Sequence, residues 1–362
     1  MTAYKNSDIK DILSKFDKNT NTETYGNGHI NDTYLCETSP RFILQKINTN
    51  VFKDPDGVME NIDNVTKHLR EKIVKLGGNP NRDTMSIIPT KDGKIYYKHD
   101  NGDCYRMYNF IENSVSFDIA PSLDVLMYAG RAFGKFQRML DDYPAEKLHE
   151  TITDFHNTPV RVQQLRTAME KNLSGRLSSV SEEVELALEY GSKYAAKITE
   201  AMGNGEVPLR VTHNDTKLNN ILFDAVTHED VCVIDLDTVM PGSVLYDFGD
   251  ALRFGASSCE EDETDVDKIY FDLEKFEAFA KGFLGELGAC LTDKEKELLP
   301  VSALIMTYEC GIRFLADHIN GDTYFKIHRE NHNLDRARNQ LTLVRDIEKK
   351  LPEMAEIVKK YL

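Results

Sequence analysis

The chain carries, from Val211 to Asp250, the stretch VTHNDTKLNNILFDAVTHEDVCVIDLDTVMPGSVLYDFGD. His213 precedes Asp215 by two residues, and Asn220 follows Asp215 by five. Asp235 comes fifteen residues after Asn220, in an apolar run that reads as a short strand. This spacing is typical of a phosphotransfer catalytic loop, in which the first Asp accepts the proton of an attacking hydroxyl and the Asn binds a metal ion. The second Asp is expected to bind the same metal.

The metal that these side chains suit best is Mg2+. Magnesium prefers oxygen ligands and keeps several waters, so one carboxylate, one amide oxygen and the phosphates of a nucleotide are sufficient. Asp and Asn are also common in turns, where their side chains bond to local backbone. The second acidic position, at the distance that phosphotransfer requires, favours the catalytic interpretation over the turn interpretation.

The composition is that of a globular protein, since hydrophobic residues make up 41% of the 362 residues. A chain of this length can form two lobes with separate cores. Its formal net charge of -16 argues against nucleic acid or an anionic membrane surface as the partner.

Neither the cysteines nor the N-terminal segment indicates an extracellular or membrane protein. The six cysteines are scattered without a CxxC pair, which favours free, reduced thiols over a zinc site. The segment MTAYKNSDIKDILSKF lacks the apolar core of a signal peptide. No apolar run approaches the roughly 18 residues that a bilayer requires. We therefore expect a cytoplasmic protein.

The first part of the chain predicts a helix followed by a glycine-containing turn. Apolar residues at helical spacing favour a helix over residues 9–16. The segment YGNGHINDTY then places Gly26 and Gly28 in a turn between strand-like residues. Two glycines allow the backbone to approach a phosphate closely, although an ordinary hairpin turn has the same composition.

The next strand, RFILQKI, matters because a nucleotide kinase usually carries a Lys or Arg there. The inward position is Gln45, and Lys46 faces the opposite side because neighbouring residues of a strand alternate. A helix over residues 58–76 follows. Its Glu60 or Glu71 would either pair with a basic strand residue or lie on the surface as a solvated carboxylate.

Short strands complete a small lobe that ends near residue 111. Beyond it the pattern changes to long helices, and the hinge between the two regions offers backbone groups to an adenine ring. The predicted strands cover residues 87–89, 94–97 and 104–111; the predicted helices cover residues 123–140, 180–202, 273–287, 298–320 and 334–362.

One charged residue stands out in the C-terminal helices. Arg313 lies in a largely apolar helical stretch, where an unpaired guanidinium would be costly. It must therefore reach a carboxylate, a solvent-filled cleft or a ligand. Salt bridges to Glu309 or Asp317, one turn away, are the structural alternatives to a ligand contact.

Taken together, the motifs resemble those of the aminoglycoside phosphotransferase and choline kinase superfamily. The stretches YGNGHINDTYL, RFILQKIN, VTHNDTKLNNIL, VIDLDTVMPGSVLYDFGDALRFGA and ECGIRFLADHINGDTYF are similar to bacterial N-acetylhexosamine 1-kinases. The resemblance implies an α+β, bilobal, protein-kinase-like fold. A small antiparallel-sheet N-lobe (residues 1–111) would bind the nucleotide, and a large, mainly helical C-lobe (residues 112–362) would carry catalysis and substrate binding.

The resemblance also implies roles for individual residues. Asp215 would be the catalytic base or hydroxyl-orienting group, with Asn220 and Asp235 as magnesium ligands. Arg313 and Tyr324 would contact the sugar together with Asp215. Residues implied in binding ATP are Gly26, Gly28, Gln45, Tyr108, Asn109 and Phe110.

Two positions depart from the broader superfamily. Gln45 stands where a phosphate-binding Lys or Arg is usual, so magnesium would carry more of the phosphate charge. Asp237 adds a carboxylate two residues after Asp235; on a strand the two would share a face. Asp237 is then either a second metal ligand or, as we favour, a cap on the following turn.

The expected activity is transfer of the γ-phosphoryl group of ATP to the C1 hydroxyl of N-acetylglucosamine or N-acetylgalactosamine. A related kinase for an aminoglycoside, choline, homoserine or another sugar is the alternative within the same chemistry. A nucleotide-binding module without catalysis is the alternative from another class, and only Gln45 favours it.

Overall fold

The computed structural model of the protein describes residues 6–26 and 30–362. These residues form two compact units. The first comprises Met1–Ser116, Asp142–Thr153 and Ile221–Met240; the second comprises Phe117–Asp141, Asp154–Asn220 and Pro241–Leu362. The proposed lobe boundary at residue 111 falls near the end of the first segment and stays a prediction.

The described residues contain strands and helices in an order that matches the predicted change from strands to helices. The strands are β1 (Thr22–Thr24), β2 (Asp32–Cys36), β3 (Phe42–Ile47), β4 (Tyr97–Lys98), β5 (Cys104–Asn109), β6 (Ser114–Val115), β7 (Arg210–Thr212), β8 (Ile221–Asp224), β9 (Asp230–Val233) and β10 (Met240–Gly242). The helices are α1 (Asn6–Lys15), α2 (Pro55–Lys75), α3 (Leu123–Leu140), α4 (Thr158–Lys171), α5 (Ser181–Tyr194), α6 (Lys197–Gly203), α7 (Val244–Gly255), α8 (Leu273–Leu287), α9 (Asp293–Asn320) and α10 (His332–Lys360).

The main sheet of the first unit is antiparallel, with strand order β1-β2-β3-β5-β4. One face packs on α1, where a core forms around Leu13, Phe16, Leu44 and Met107. On the opposite face, Thr33, Gln45 and Arg106 lie side by side, because each is paired directly across the neighbouring strands. Opposite residues of antiparallel strands share a face.

A smaller antiparallel sheet in the same unit, with order β6-β8-β9, leads into the second acidic motif. The predicted strand that carries Asp235 ends earlier than expected, at Val233. Asp235 instead has a left-handed backbone, with φ 59° and ψ 61°. One turn of 3-10 helix follows, from Leu236 to Thr238.

The second unit is mainly helical. Three predicted helices are confirmed as α3, α8 and α10, and α9 begins earlier than predicted because Thr292 and Glu295 form a capping box at its start. The helix predicted over residues 180–202 is two helices, α5 and α6. Helix α4 was not predicted from the sequence, because only three of its residues are buried and its apolar periodicity is weak.

Helix α9 is long and apolar enough to cross a membrane, by length and composition only. Its most apolar window is 89% buried within the protein, as in the core helix of a soluble protein. Helices α10, α7 and α4 pack directly against it. This placement explains why the apolar window of α9 contains so few charged side chains.

Helix α7 approaches α9 closely at a glycine. A Cβ atom at Gly249 would lie 2.5 Å from the carbonyl oxygen of Ser302 and 2.6 Å from Cγ of Met306. Both distances are too short for a side chain at this position. Position 249 therefore requires glycine so that α7, which carries Asp247 and Asp250, can pack on α9.

We predict that Gly249→Ala lowers the free energy of unfolding by about 1–3 kcal/mol, as overpacking of a well-packed core does. Gly285→Ala is the matched control, because Gly285 is an exposed glycine of α8 where an added Cβ atom would meet no other atom within 4 Å. That change should stabilise by roughly 0.4–1 kcal/mol, since alanine restricts the unfolded chain. Urea unfolding of the wild type and both variants measures these changes in the free energy of unfolding. Equal stabilisation in both would contradict the packing argument.

Candidate active site

The loop between β7 and β8, residues 213–220, is fixed by carboxylates of α7. Buried Asp247 accepts hydrogen bonds from the backbone N–H groups of His213, at 2.9 Å, and Asn214, at 2.7 Å. Asp250 accepts the N–H of Thr216 at 3.0 Å. A buried carboxylate bonded to several N–H groups holds a loop firmly, because losing either partner would leave a buried polar group unsatisfied.

Asp215 and Asn220 lie together in this loop, as predicted from their spacing. The Asn220 side-chain nitrogen donates to the Asp215 carbonyl oxygen at 2.8 Å and lies 3.3 Å from the carboxylate oxygen Oδ2. Because the amide nitrogen is used in this way, the amide oxygen of Asn220 remains as the atom for an external ligand. The donor set therefore fits a hard cation such as Mg2+.

A lysine that the sequence reasoning overlooked contacts the same carboxylate. The ammonium of Lys217 lies 2.9 Å from Oδ1 of Asp215. Burial opposes the charged form, but the neighbouring Asp215 carboxylate raises the pKa of Lys217 overall. Lys217 is thus a cation beside the proposed catalytic group. Its position two residues after the Asp, in HNDTK, is the signal that could have identified it.

His156 connects this loop to helix α9. The buried imidazole lies between the Asn214 carbonyl oxygen, 3.0 Å from Nε2, and the Glu309 carboxylate, 2.9 Å from Nδ1. Burial alone would lower the pKa of His156, but Glu309 raises it, and the same contact lowers the pKa of Glu309. A charged imidazole donates from both nitrogens, which matches the two acceptors. No sequence pattern distinguished His156.

The two salt bridges considered for Arg313 do not form. The Glu309 carboxylate is bonded to His156 and Thr158. The Asp317 carboxylate accepts three backbone N–H groups of the segment that follows α9, those of residues 323–325. The structural alternative for Arg313 is therefore wrong, and no ion pair of Arg313 occurs among residues 6–26 and 30–362.

Arg313 and Tyr324 both contact the aromatic ring of Phe325. The guanidinium carbon of Arg313 is 5.5 Å from the centre of the Phe325 ring. The Tyr324 ring meets Phe325 edge-on at 4.8 Å between centres. Asp317 produces this arrangement by folding the segment back onto α9, and Tyr324 remains 72% exposed.

In the first unit, Asp237 is buried in the 3-10 turn after Asp235. Its carboxylate accepts a hydrogen bond from the Asn31 side chain at 2.7 Å and forms an ion pair with the guanidinium of Arg106. The expectation that Asp235 and Asp237 share a strand face is wrong, because the strand ends at Val233. The expectation that Asp237 caps the following turn is wrong as well, since Asp237 lies inside that turn.

Gln45 faces the same side of the sheet as Arg106. Its carbonyl oxygen accepts from Nε and Nη2 of Arg106, at 3.0 and 2.9 Å. Lys46 points to the other face, as expected, and pairs with Asp103 at 2.9 Å. Glu60 of α2 pairs with His149 at the surface and not with a strand cation.

The segment predicted to meet adenine ends strand β5. The N–H of Asn109 donates to the Ser86 carbonyl at 3.1 Å, and the N–H of Phe110 donates to the Arg41 carbonyl at 3.2 Å. An adenine contact would therefore depend on other backbone groups of this segment. Tyr108 is buried, and burial raises the pKa of its hydroxyl.

The predicted phosphate turn is described only in part. Gly26 has φ +76°, a conformation that favours glycine. Gly28 lies outside the described residues.

A family model for phosphotransferase enzymes matches residues 21–282, which is more than half of the chain. The chain belongs to the phosphotransferase enzyme family. The match covers the loop with Asp215 and Asn220 as well as the turn with Asp235. This phosphotransferase has the kinase-like fold that the sequence predicts, with an antiparallel sheet in the N-terminal region and a helical C-terminal part.

Solved structures of small-molecule kinases share this fold. A microcompartment-associated aminopropanol kinase matches with a TM-score of 0.63 at 16% identity, covering 96% of this chain and 98% of that one. An aminoglycoside phosphotransferase from Alicyclobacillus acidocaldarius matches with a TM-score of 0.62 at 12% identity, covering 97% and 96%. Choline kinase from Cryptosporidium parvum matches with a TM-score of 0.54 at 14% identity, covering 92% and 90%. The family match and this fold support a small-molecule phosphotransferase.

Proposed function

We propose that this phosphotransferase is a cytoplasmic N-acetylhexosamine 1-kinase. It transfers the γ-phosphoryl group of ATP, in the presence of Mg2+, to the anomeric C1 hydroxyl of N-acetylglucosamine or N-acetylgalactosamine. Residues 1–111 bind the nucleotide and residues 112–362 bind the acceptor. The proposal rests above all on the positions of Arg313 and Tyr324. Arg313 lies on α9, which His156 links to the Asp215 loop, and it forms no ion pair with a carboxylate among the described residues. Tyr324 lies on the segment that follows α9.

In this proposal, Asp215 orients the C1 hydroxyl and receives its proton on a carboxylate oxygen as the phosphoryl group is transferred. A loose transition state asks little of a base, so holding the hydroxyl in line provides most of the effect. The ammonium of Lys217, 2.9 Å from Oδ1 of Asp215, places a positive charge beside this carboxylate. The N–H bonds to Asp247 and the carbonyl bond to His156 keep the loop in place during the reaction.

Asn220 and Asp235 would hold Mg2+, Asn220 through the amide oxygen that its hydrogen bonds leave available. When bound, Mg2+ neutralises phosphate charge and orients the transferred group. Asp235 has a left-handed backbone, a conformation that Asn and Asp adopt more often than other non-glycine residues and that also recurs at active sites.

The charge around Arg313 favours a neutral acceptor over a cationic one. Arg161 donates to the Phe155 carbonyl at 2.8 Å and to Gln164, and forms no ion pair among the described residues. Burial lowers the pKa of Arg161, and the charge of Arg313 lowers it further. Two such cations would repel choline or an aminoglycoside, whereas they can donate to the hydroxyl and carbonyl oxygens of an N-acetylated sugar.

A panel of acceptors at fixed ATP and Mg2+ tests this choice. Initial rates would be measured with N-acetylglucosamine, N-acetylgalactosamine, glucose, choline, homoserine and an aminoglycoside. We expect the two N-acetylhexosamines to give the highest kcat/KM. A higher kcat/KM for choline or the aminoglycoside would agree with a phosphotransferase but would contradict the assignment of a sugar as the acceptor. ATP binding without transfer to any acceptor would favour the non-catalytic alternative.

Tyr324→Ala should raise KM for the sugar by about tenfold, because an exposed aromatic face contributes on the order of 1–2 kcal/mol when it stacks on the apolar side of a pyranose. The dissociation constant for ATP should not change. Tyr270→Ala is the matched control, since Tyr270 is also exposed in the second unit. A parallel loss of ATP affinity in the Tyr324 variant would indicate damage to the fold and not a lost sugar contact.

A further inference from the structure

We propose that Arg106 of β5 supplies the positive charge that position 45 lacks, and so serves as the phosphate-side cation of the nucleotide site. The inference rests on the proposed use of ATP but not on the identity of the acceptor. Kinases usually carry this positive charge on strand β3. Here we assign it to β5.

The register of the sheet places the two residues at the same point. Gln45 pairs directly with Arg106 across β3 and β5, so both side chains emerge on one face. The Gln45 oxygen receives two hydrogen bonds from the guanidinium, at 3.0 and 2.9 Å. Its nitrogen donates in turn to Thr33 of β2 at 3.1 Å. Gln45 therefore holds the guanidinium of Arg106 next to position 45 of the sheet.

The acidic partner of Arg106 is also displaced from its usual location. In protein kinases the strand lysine pairs with a glutamate of the neighbouring helix. Here the α2 carboxylate Glu60 pairs with His149. Arg106 pairs instead with Asp237, two residues after the proposed metal ligand Asp235.

The pair of Arg106 and Asp237 has the same net charge as the usual pair of lysine and glutamate. Both of its members lie on different elements from those in protein kinases. Arg106 is 1% exposed and Asp237 is 4% exposed, so each charge has been removed from water. Removing charges from water is costly, and hydrophobic residues of similar volume would often stabilise as well. A role in function therefore explains this buried ion pair, which includes Asp237 of the turn after Asp235, better than stability alone does. Asn31 completes the contacts of Asp237 at 2.7 Å.

The same face carries the hydroxyl of Tyr108. The Arg106 guanidinium lies 5.2 Å from the centre of the Tyr108 ring, two residues along β5. Tyr108 is 3% exposed, and its hydroxyl has no hydrogen-bond partner among the described residues. A buried hydroxyl without a protein partner is unusual, and an ordered water or a bound ligand would satisfy it. The face with Gln45, Arg106 and Tyr108 thus has the character of a binding surface.

Moving the charge back to β3 tests the proposal. The variants are Arg106→Gln, Arg106→Lys and the exchange Gln45→Lys with Arg106→Gln. Lys46→Gln is the matched control, since Lys46 is the adjacent cation on the opposite face and pairs with Asp103. Calorimetry would measure the affinities for adenosine and for ADP with Mg2+. The ratio of the two reports the contribution of the phosphates alone.

We expect Arg106→Gln to reduce the preference for ADP over adenosine by about tenfold or more, because the variant loses a charge-assisted contact to phosphate. Adenosine affinity should stay near that of the wild type. The exchange variant should regain most of the preference, and Lys46→Gln should retain it fully. If Arg106→Gln fails to fold, Arg106→Lys and the exchange variant decide the matter.

Equal losses for adenosine and ADP, or a folded exchange variant without the ADP preference, would overturn the role of Arg106. These binding measurements use no acceptor. An absence of transfer to N-acetylhexosamines by the wild type would therefore count against the proposed function and leave the assignment of Arg106 intact.

Discussion

Asp215→Asn will lower kcat by about 10²–10⁴-fold, the range in which a positioned acid or base contributes. The amide cannot accept the hydroxyl proton, and it replaces the carboxylate that pairs with Lys217 at 2.9 Å. Because the loop is held by its backbone bonds to Asp247, the variant should keep its fold. The dissociation constant for ATP should stay close to that of the wild type. Steady-state kinetics and calorimetry on the same preparation measure both quantities.

Asp118→Asn is the control for this variant. Asp118 is exposed and accepts a hydrogen bond from Asn219 at 3.0 Å, so its substitution makes the same chemical change near the loop without touching Asp215. Its kcat should remain at the wild-type level. Near-normal turnover by Asp215→Asn would show that another group orients the acceptor hydroxyl.

Asp235→Asn should reduce kcat/KM for ATP by about 10³-fold or more, since a metal ion contributes several kcal/mol of charge stabilisation and each 1.36 kcal/mol is a factor of ten. The asparagine side chain has nearly the size of aspartate but lacks the negative charge that a hard cation prefers in its ligands. Titration with Mg2+ at saturating ATP measures the effect. The metal concentration for half-maximal activity should rise together with the loss of rate.

The control for the metal site is Asp100→Asn, an exposed turn residue of the same unit. It should leave the Mg2+ titration unchanged. An Asp235 variant with a normal Mg2+ dependence would remove Asp235 from the proposed metal site. Loss of the thermal transition in that variant would instead indicate that the turn after β9 has a structural role.

Most of the fold was predictable because the long helices have strong apolar periodicity. The bounds of α3 and α8 match the predicted ones. Helix α4 was not predictable, since its surface is largely polar and tertiary contacts stabilise it. The strand before Asp235 was predicted too long because the apolar residues continue past the point where Asp235 turns the backbone.

The candidate site shows the same division between local and long-range information. Asp215 and Asn220 are five residues apart, and their contact follows from loop spacing. The partner of Arg106 is 131 positions away in Asp237, and the contact depends on how a sheet and a turn pack. His156 and Glu309 likewise meet only in the folded protein. No periodicity within a single element encodes such pairs.

The most direct test of the sugar assignment is phosphorus NMR of the product formed from N-acetylglucosamine, ATP and Mg2+ by the wild-type protein. We expect a single new phosphate ester whose phosphorus couples to the anomeric proton, which identifies the sugar 1-phosphate. A phosphate on C6 or another hydroxyl, or no sugar phosphate from a preparation that phosphorylates choline or an aminoglycoside, would contradict the assignment.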